Sequence, residues 1–316
     1  RMTRQTIRLS GLAPERLLAV LALYGTMRAL ETARPEWAPT VAWEGPPWRP
    51  VLSAATPETL TEDLVAEAAL AGIADWAPAF DFDGHADIKH TPEAFKAWAK
   101  DRTGNAAAVA AALASDAVTK RNNAAQVQPT PLCAIFGQGH QHFLSRLESN
   151  LDTGTGDPTE IADALFRWRY EREGTKRRGQ RIVKGSLRLD PQEDRRYALA
   201  AGDPSAEAVT TIPGANRLAP LGLTLMPVVP RNNRLAATAT QRPRRGPVHI
   251  LWPVWAGFLD VAALSDLLDL PGLIADPPDP AQLRPYGVQE VYRCTRRNVG
   301  KFMSFSPATA QFGLSG

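Results

Sequence analysis

Cysteine is scarce here: Cys133 and Cys294 are the two present in 316 residues. A Cys-based zinc site needs several thiolates at short spacing, so this usage excludes one, and buried free thiols in a reducing cytoplasm are expected. Long apolar runs are missing too. The longest, Leu17 to Tyr24, falls far short of the roughly 20 residues that cross a bilayer, so no membrane partner is expected. The residues after Met2 are polar and basic, unlike a secretory leader, which adds to the expectation of a cytoplasmic protein. The common catalytic signatures are also lacking. There is no Gly-x-Ser-x-Gly elbow, no phosphate loop ending in Gly-Lys-Ser/Thr, and no helical histidine pair around a glutamate. Net charge is small, with 36 basic against 33 acidic residues giving +3, so any preference for a polyanion must be local.

What is present is a mixture of helical and strand periodicities. The segment IRLSGLAPERLLAVLALYGTMRALE starts strand-like and becomes a helix, with Ser10 as a candidate cap and Leu17, Leu18, Leu21 and Met27 at helical spacing. PTVAWEGPPWRPVL reads as two strands around a Gly-Pro turn, with Trp43 and Trp48 as core residues. Helices are expected over 57–74, from Thr91-Pro92-Glu93 onward, through AAAVAAALASDA, over 142–150 and 158–172, and from about Asp260. Residues 174–250, rich in Gly, Pro, Arg and Thr, read as strands and loops, and the tail from Gly287 as strand. An α+β fold follows, with mixed helices and antiparallel strands and no doubly wound sheet. A helix-rich part (1–172) precedes a strand-and-loop-rich part (173–316), an arrangement that one continuous domain also accommodates.

Positive charge is concentrated. Within RWRYEREGTKRRGQRIVKGSLR (167–188) nine basic residues face two acidic ones, a local +7 that leaves −4 for the rest of the chain. Gly174 and Gly179 bracket a basic loop whose Lys176, Arg177, Arg178, Arg181 and Lys184 suit phosphate contact. Three smaller clusters accompany it. Lys120, Arg121, Asn122 and Asn123 join basic groups to amides that can pair with base edges. QRPRRG carries Arg244 and Arg245, and CTRRNVGKF carries Arg296, Arg297 and Lys301. On one face, the four would form a track for a nucleic-acid backbone.

LCAIFGQGHQHFLSRL (132–147) places His140 and His142 behind a Gly-Gln-Gly turn. A metal-dependent nuclease or RNA-processing enzyme would need His140 to join ligands from elsewhere, such as Asp81, Asp83, His85 and His90. The simpler reading is a tight turn at a helix start, with Gln138 and His140 offering hydrogen bonds. No cofactor is expected. Asp190, Glu193, Asp194, Arg195 and Arg196 read as a turn fixed by internal salt bridges rather than as a metal site.

Three stretches taken in order carry a resemblance. They are LSGLAPERLLAVLALYGTMRALE; SLRLDPQEDRRYALAAGDPS with IPGANRLAPLGLTLMPVVP; and LWPVWAGFLDVAALSDLL with GVQEVYRCTRRNVGKFMSF. Together they resemble the large-subunit family of type I CRISPR effector complexes, closest to the type I-G (I-U) branch. The pairing of Asp-Pro-x-Glu-Asp-Arg-Arg-Tyr-Ala with Gly-Ala-Asn-x-Leu-Ala is the most specific part. The resemblance implies a non-enzymatic subunit that binds CRISPR RNA and target double-stranded DNA beside other effector-complex subunits. It further implies recognition of the protospacer-adjacent motif, help in opening the duplex, and docking of the helicase-nuclease. Lys120 to Asn123, Gln138 and His140 then become candidates for motif contact, and Lys176 to Lys184 for backbone contact. The modest length implies that a C-terminal helical bundle of longer relatives is missing or supplied by a partner.

Overall fold

The computed structural model describes residues 2–121, 123–135, 142–152, 154, 156–172, 176–177, 181–182, 185–193, 210–243, 246–299 and 302–313; the side chains of 176, 177, 181, 182, 299 and 302 are outside that description. Strand β1 (Thr3–Arg8) leads to helix α1 (Leu17–Ala33), then β2 (Thr40–Glu44), β3 (Arg49–Thr56), α2 (Glu62–Trp76), α3 (Pro92–Lys100) and α4 (Gly104–Leu113). β4 (Ala114–Lys120), β5 (Asn123–Pro129), α5 (Phe143–Leu151) and α6 (Pro158–Ala162) follow. Next come β6 (Glu171–Arg172), β7 (Lys176–Arg177), β8 (Arg181–Ile182), β9 (Thr210–Thr211) and α7 (Pro213–Leu223). The last part holds β10 (Val228–Arg231), β11 (Arg234–Ala237), β12 (Thr240–Gln241), β13 (His249–Trp255), α8 (Val261–Leu268), α9 (Pro280–Leu283), β14 (Val288–Val299), β15 (Phe302–Phe305) and β16 (Thr309–Phe312).

The fold is α+β, and every pairing between the described strands is antiparallel. One sheet has the order β1-β3-β2; another runs β12-β13-β14-β15, with β16 also on β14. Val41 of β2 also forms an isolated bridge with Leu259, between β13 and α8. Trp255 donates from Nε1 to the Val41 carbonyl at 3.0 Å, and its ring meets Trp43 edge-on at 6.1 Å. Trp43 is thus a core residue, as expected of it. One cluster of buried apolar side chains extends from Leu9 to Ala308. No helix among the described residues is long and apolar enough to cross a membrane.

Local chemistry explains most boundaries. Thr61 caps α2 by accepting from Leu64 N, Thr91 caps α3 from Ala94 N with Pro92 in the first turn, and Asp260 caps α8 from Ala263 N. Ser10 is not the cap expected for α1. That helix begins at Leu17 without a side-chain cap, and the Ser10 hydroxyl instead donates to the Phe166 carbonyl at 2.8 Å. The alanine-rich helix also stops earlier than its composition suggests: it ends at Leu113, and Ala114–Lys120 is strand. The helix expected over 158–172 is α6 with one π-turn, ending where Trp168 takes a positive φ of 49°.

The largest departure is α7, which lies inside the stretch expected to be strand and loop. Its Pro213, Gly214, Pro220 and Gly222 look like breakers in one dimension. In three they are what closeness demands. A Cβ on Gly222 would stand 2.1 Å from the Leu21 carbonyl oxygen, and one on Gly25 of α1 would stand 1.9 Å from that of Leu218. The backbones of α1 and α7 therefore touch, and all eleven residues of α7 are buried.

Candidate nucleic-acid interface

Two hairpins position Lys120 and Arg121, and Arg231 and Arg234. β4 and β5 pair with Lys120 opposite Asn123, which sets these two residues at the end of the hairpin. β10 and β11 pair with Arg231 opposite Arg234, and Asn232 and Asn233 between them both take positive φ, 51° and 56°. Asparagine tolerates that left-handed turn better than other residues with a Cβ, which is why it suits the site. Val118 from the first hairpin and Val228, Leu235 and Ala237 from the second form a small apolar core of their own.

Beside the second tip lies a cleft of two adjoining cavities. The first, about 610 Å³, is lined by Arg231, Asn232, Arg234, Gln241 and Arg242 among others. The second, about 560 Å³, shares Arg234 and Arg242 and adds Arg296, Arg297 and Asn298. Asp276, the one carboxylate among the described residues of either lining, pairs with Arg293 at 3.7 Å. Arg231, Arg234, Arg242 and Arg297 make no ion pair with the described residues. Burial, together with the nearby Arg234, pulls the Arg242 guanidinium below its ordinary range. Arg296 is pulled down to about 10, by burial first and then by Arg242, against the opposing pull of Cys133. Like charges held together with a single described carboxylate nearby, itself paired with Arg293, raise the local potential and favour an anionic ligand.

Arg296 ties this cleft to the Gly-Gln-Gly stretch. Its Nη2 donates to the Cys133 carbonyl at 2.7 Å, four residues before Gly137 in sequence. Burial pushes the Cys133 thiol up to about 12, with Lys120 and Arg296 both close enough to act against it. Lys120 and Arg296, expected from separate sequence clusters, therefore flank one residue. The Lys120 ammonium is turned inward, donating to Gln126 Oε1 at 2.7 Å, while Arg121, Asn123 and Arg297 are exposed. Asn122, Gln138, His140, Arg178, Lys184, Arg244, Arg245 and Lys301 lie outside the described residues. Of Lys176, Arg177 and Arg181 only the backbone is described, in the β7–β8 pair.

The second histidine of the stretch has a structural place. His142 Nδ1 lies 2.7 Å from Asp87 Oδ2, and Asp87 Oδ1 accepts from the Phe143 N–H at 3.0 Å, so a distant carboxylate serves the start of α5. Burial alone would raise Asp87, but hydrogen bonds from His142, Lys89 and Phe143 hold it below the usual carboxylate range. His85 and His90 lie ring against ring at 4.3 Å, and Asp83 meets Arg102 at 3.4 Å. Among the described residues no three His, Cys, Asp or Glu side chains come together in a way that could hold a metal ion.

Asp190 and Glu193 are internal, though their described partners are hydroxyls and amides rather than bases. Tyr170 donates to Asp190 at 2.9 Å, and Glu193 accepts from Ser186 and Thr211 at 2.6 Å each. Asp194, Arg195 and Arg196 lie outside the described residues. Sequence reasoning overlooked Arg231 and Arg234, and within the QRPRRG loop it named Arg244 and Arg245 but not Arg242. A signal for the first existed, since Arg-Asn-Asn occurs both at 121–123 and at 231–233. Comparison of the chain with protein-family models, with curated proteins and with solved structures returned no match.

Proposed function

We propose that this chain is a nucleic-acid-binding, non-enzymatic subunit of a CRISPR RNA-guided surveillance complex of type I. In such a complex it would hold target DNA and CRISPR RNA, contact the protospacer-adjacent motif, aid duplex opening and offer a docking surface to the helicase-nuclease. The observation that carries the nucleic-acid part is the cleft in which Arg231, Arg234, Arg242 and Arg297 line joined cavities without carboxylate partners. Guanidinium groups gathered at one place raise the local positive potential, and a phosphate backbone offsets it while guanidinium geometry matches its oxygens. The assignment to a CRISPR complex rests on the three resembling stretches.

Salt provides the test. Binding of labelled DNA and RNA should weaken steeply with ionic strength, with a log–log slope of about −0.9 per phosphate contact on duplex and about −0.7 on single strands. Replacing Arg234, Arg242 and Arg297 together by Ala should weaken binding across all sequences and flatten the slope. A flat response in the unmodified protein sinks the reading. Native purification supplies the second arm: a co-purifying small RNA supports the surveillance-complex assignment, and its absence from intact complexes counts against it.

A further inference from the structure

The cleft is shaped for more than charge. Arg234 and Arg242 line both cavities, so they stand at the junction between two concave spaces of similar volume, about 610 and 560 Å³. Each falls within the range of pockets that enclose a small organic ligand. Amide groups accompany the arginines in both, Asn232 and Gln241 in the first and Asn298 in the second. Gln241 is only 6 % exposed; its Nε2 donates to the Ala275 carbonyl, while its Oε1 is buried without a partner among the described residues. Arg242 Nε is likewise buried without one. An unmet acceptor and an unmet donor in one wall are costly to the empty protein and are relieved by a ligand carrying both kinds of group.

We propose that this cleft binds two consecutive nucleotides of a single strand, with the phosphodiester between them held by Arg234 and Arg242 and one base entering each cavity. This rests on the nucleic-acid reading above and narrows it to unpaired strand. Bases in a duplex are stacked and paired inside a rod, so a pocket entered from the surface receives only a base that has left the stack. A duplex can lay phosphates on the arginines but leaves both cavities unfilled. Guanidinium planes supply stacking faces where the described lining holds no aromatic ring, and the amides meet base edges. DNA and RNA share this chemistry.

Fluorescence anisotropy on the full chain tests it with five probes: a short labelled single-stranded DNA, the RNA of the same sequence, the same DNA as duplex, a fully abasic strand, and polyaspartate as competitor. Single strands should bind about tenfold or more tighter than duplex or abasic backbone, and DNA against RNA decides which strand is preferred. Arg234→Ala, at an exposed position, should remove most single-strand affinity. Asn232→Gly keeps the left-handed backbone while removing the amide. It should narrow the gap between natural and abasic strands. Equal binding of duplex or abasic strand overturns the inference and leaves the broader reading standing. No binding by any nucleic acid, or competition by polyaspartate at equal strength, overturns both. An unchanged gap in Asn232→Gly overturns the placement of a base in the first cavity.

Discussion

Glu193 accepts a hydrogen bond from the side-chain amide of Asn216 at 3.2 Å, across 23 residues of sequence. The same Asn216 nitrogen donates to Thr211 Oγ1 at 2.8 Å, and its oxygen accepts from the Leu187 N–H at 2.8 Å. The Asp-Pro-x-Glu stretch and the Gly-Ala-Asn stretch are thus two halves of one buried network. That network fixes the start of α7 against the chain around 185–193, and α7 in turn touches α1. Polar groups this deep are kept because each finds a partner.

Glu193→Ala should destabilise the protein strongly, by about 2–4 kcal/mol, because Ser186, Thr211 and Asn216 would each lose an acceptor in the interior. Glu193→Gln, which keeps the shape and one acceptor, should cost much less. Chemical denaturation at neutral pH distinguishes them, and equal losses would contradict the network.

Burial lifts the Glu193 carboxyl to about 7, with Asp190 adding to it, while its hydrogen bonds pull the other way. A raised carboxylate makes the folded state bind more protons than the unfolded chain. Its contribution is therefore full below an unfolded pKa of about 4.3 and lost as pH rises through about 7, an effect on the order of 3 kcal/mol. Unfolding followed from pH 5 to 8 should show this slope in the unmodified protein, and Glu193→Gln should lack it.

Arg217 and Glu160 form an ion pair at 2.8 Å with both side chains 1 % exposed, and Arg217 Nη1 also donates to the carbonyls of Asn150 and Asp152. Removing the guanidinium leaves a buried carboxylate and two carbonyls without it. Arg217→Met should cost about 3–5 kcal/mol. The double change with Glu160→Gln should cost less than the single one, and additive losses in a double-mutant cycle would show that the pair is not coupled.

Gly222→Ala should cost more than an ordinary surface change, about 1–3 kcal/mol or more, since its methyl would meet the Leu21 carbonyl backbone at 2.1 Å. Gly84→Ala is the matched control: a Cβ there meets nothing within 4 Å, although its φ of +77° adds strain of about 1 kcal/mol. Thermal denaturation of the two variants should rank them in that order.

Asp87→Ala should loosen the start of α5, because Phe143 N–H and the His142 ring lose their acceptor. The expected loss is about 1–2 kcal/mol. Asp87 is held below its ordinary range, so its contribution is full above an unfolded pKa of about 3.9 and lost as pH falls through the lower folded value. Acid unfolding should therefore be steeper in the unmodified protein than in the variant.

The amino-acid pattern alone determined the fold class, the helix starts at Thr91 and Asp260, and the burial of Trp43, because these follow from periodicity and from hydrogen bonds that span a few residues; the helix expected from Pro57 starts only at Glu62, after the Thr61 cap. It also made visible that positive charge gathers in separate clusters, Arg296 and Arg297 among them. It did not reveal α7, whose glycines and prolines signal a loop until a second backbone is laid against them. Nor did it separate Arg296, tied to the Cys133 carbonyl, from Arg297, left exposed one residue on. The cleft needed the tertiary structure, since Arg231, Arg234 and Arg242 join Arg296 and Arg297 only when the β10–β11 hairpin folds beside the end of β14. Charge can be counted along a chain, but whether it is paired, buried or held against like charge depends on distances that only packing sets.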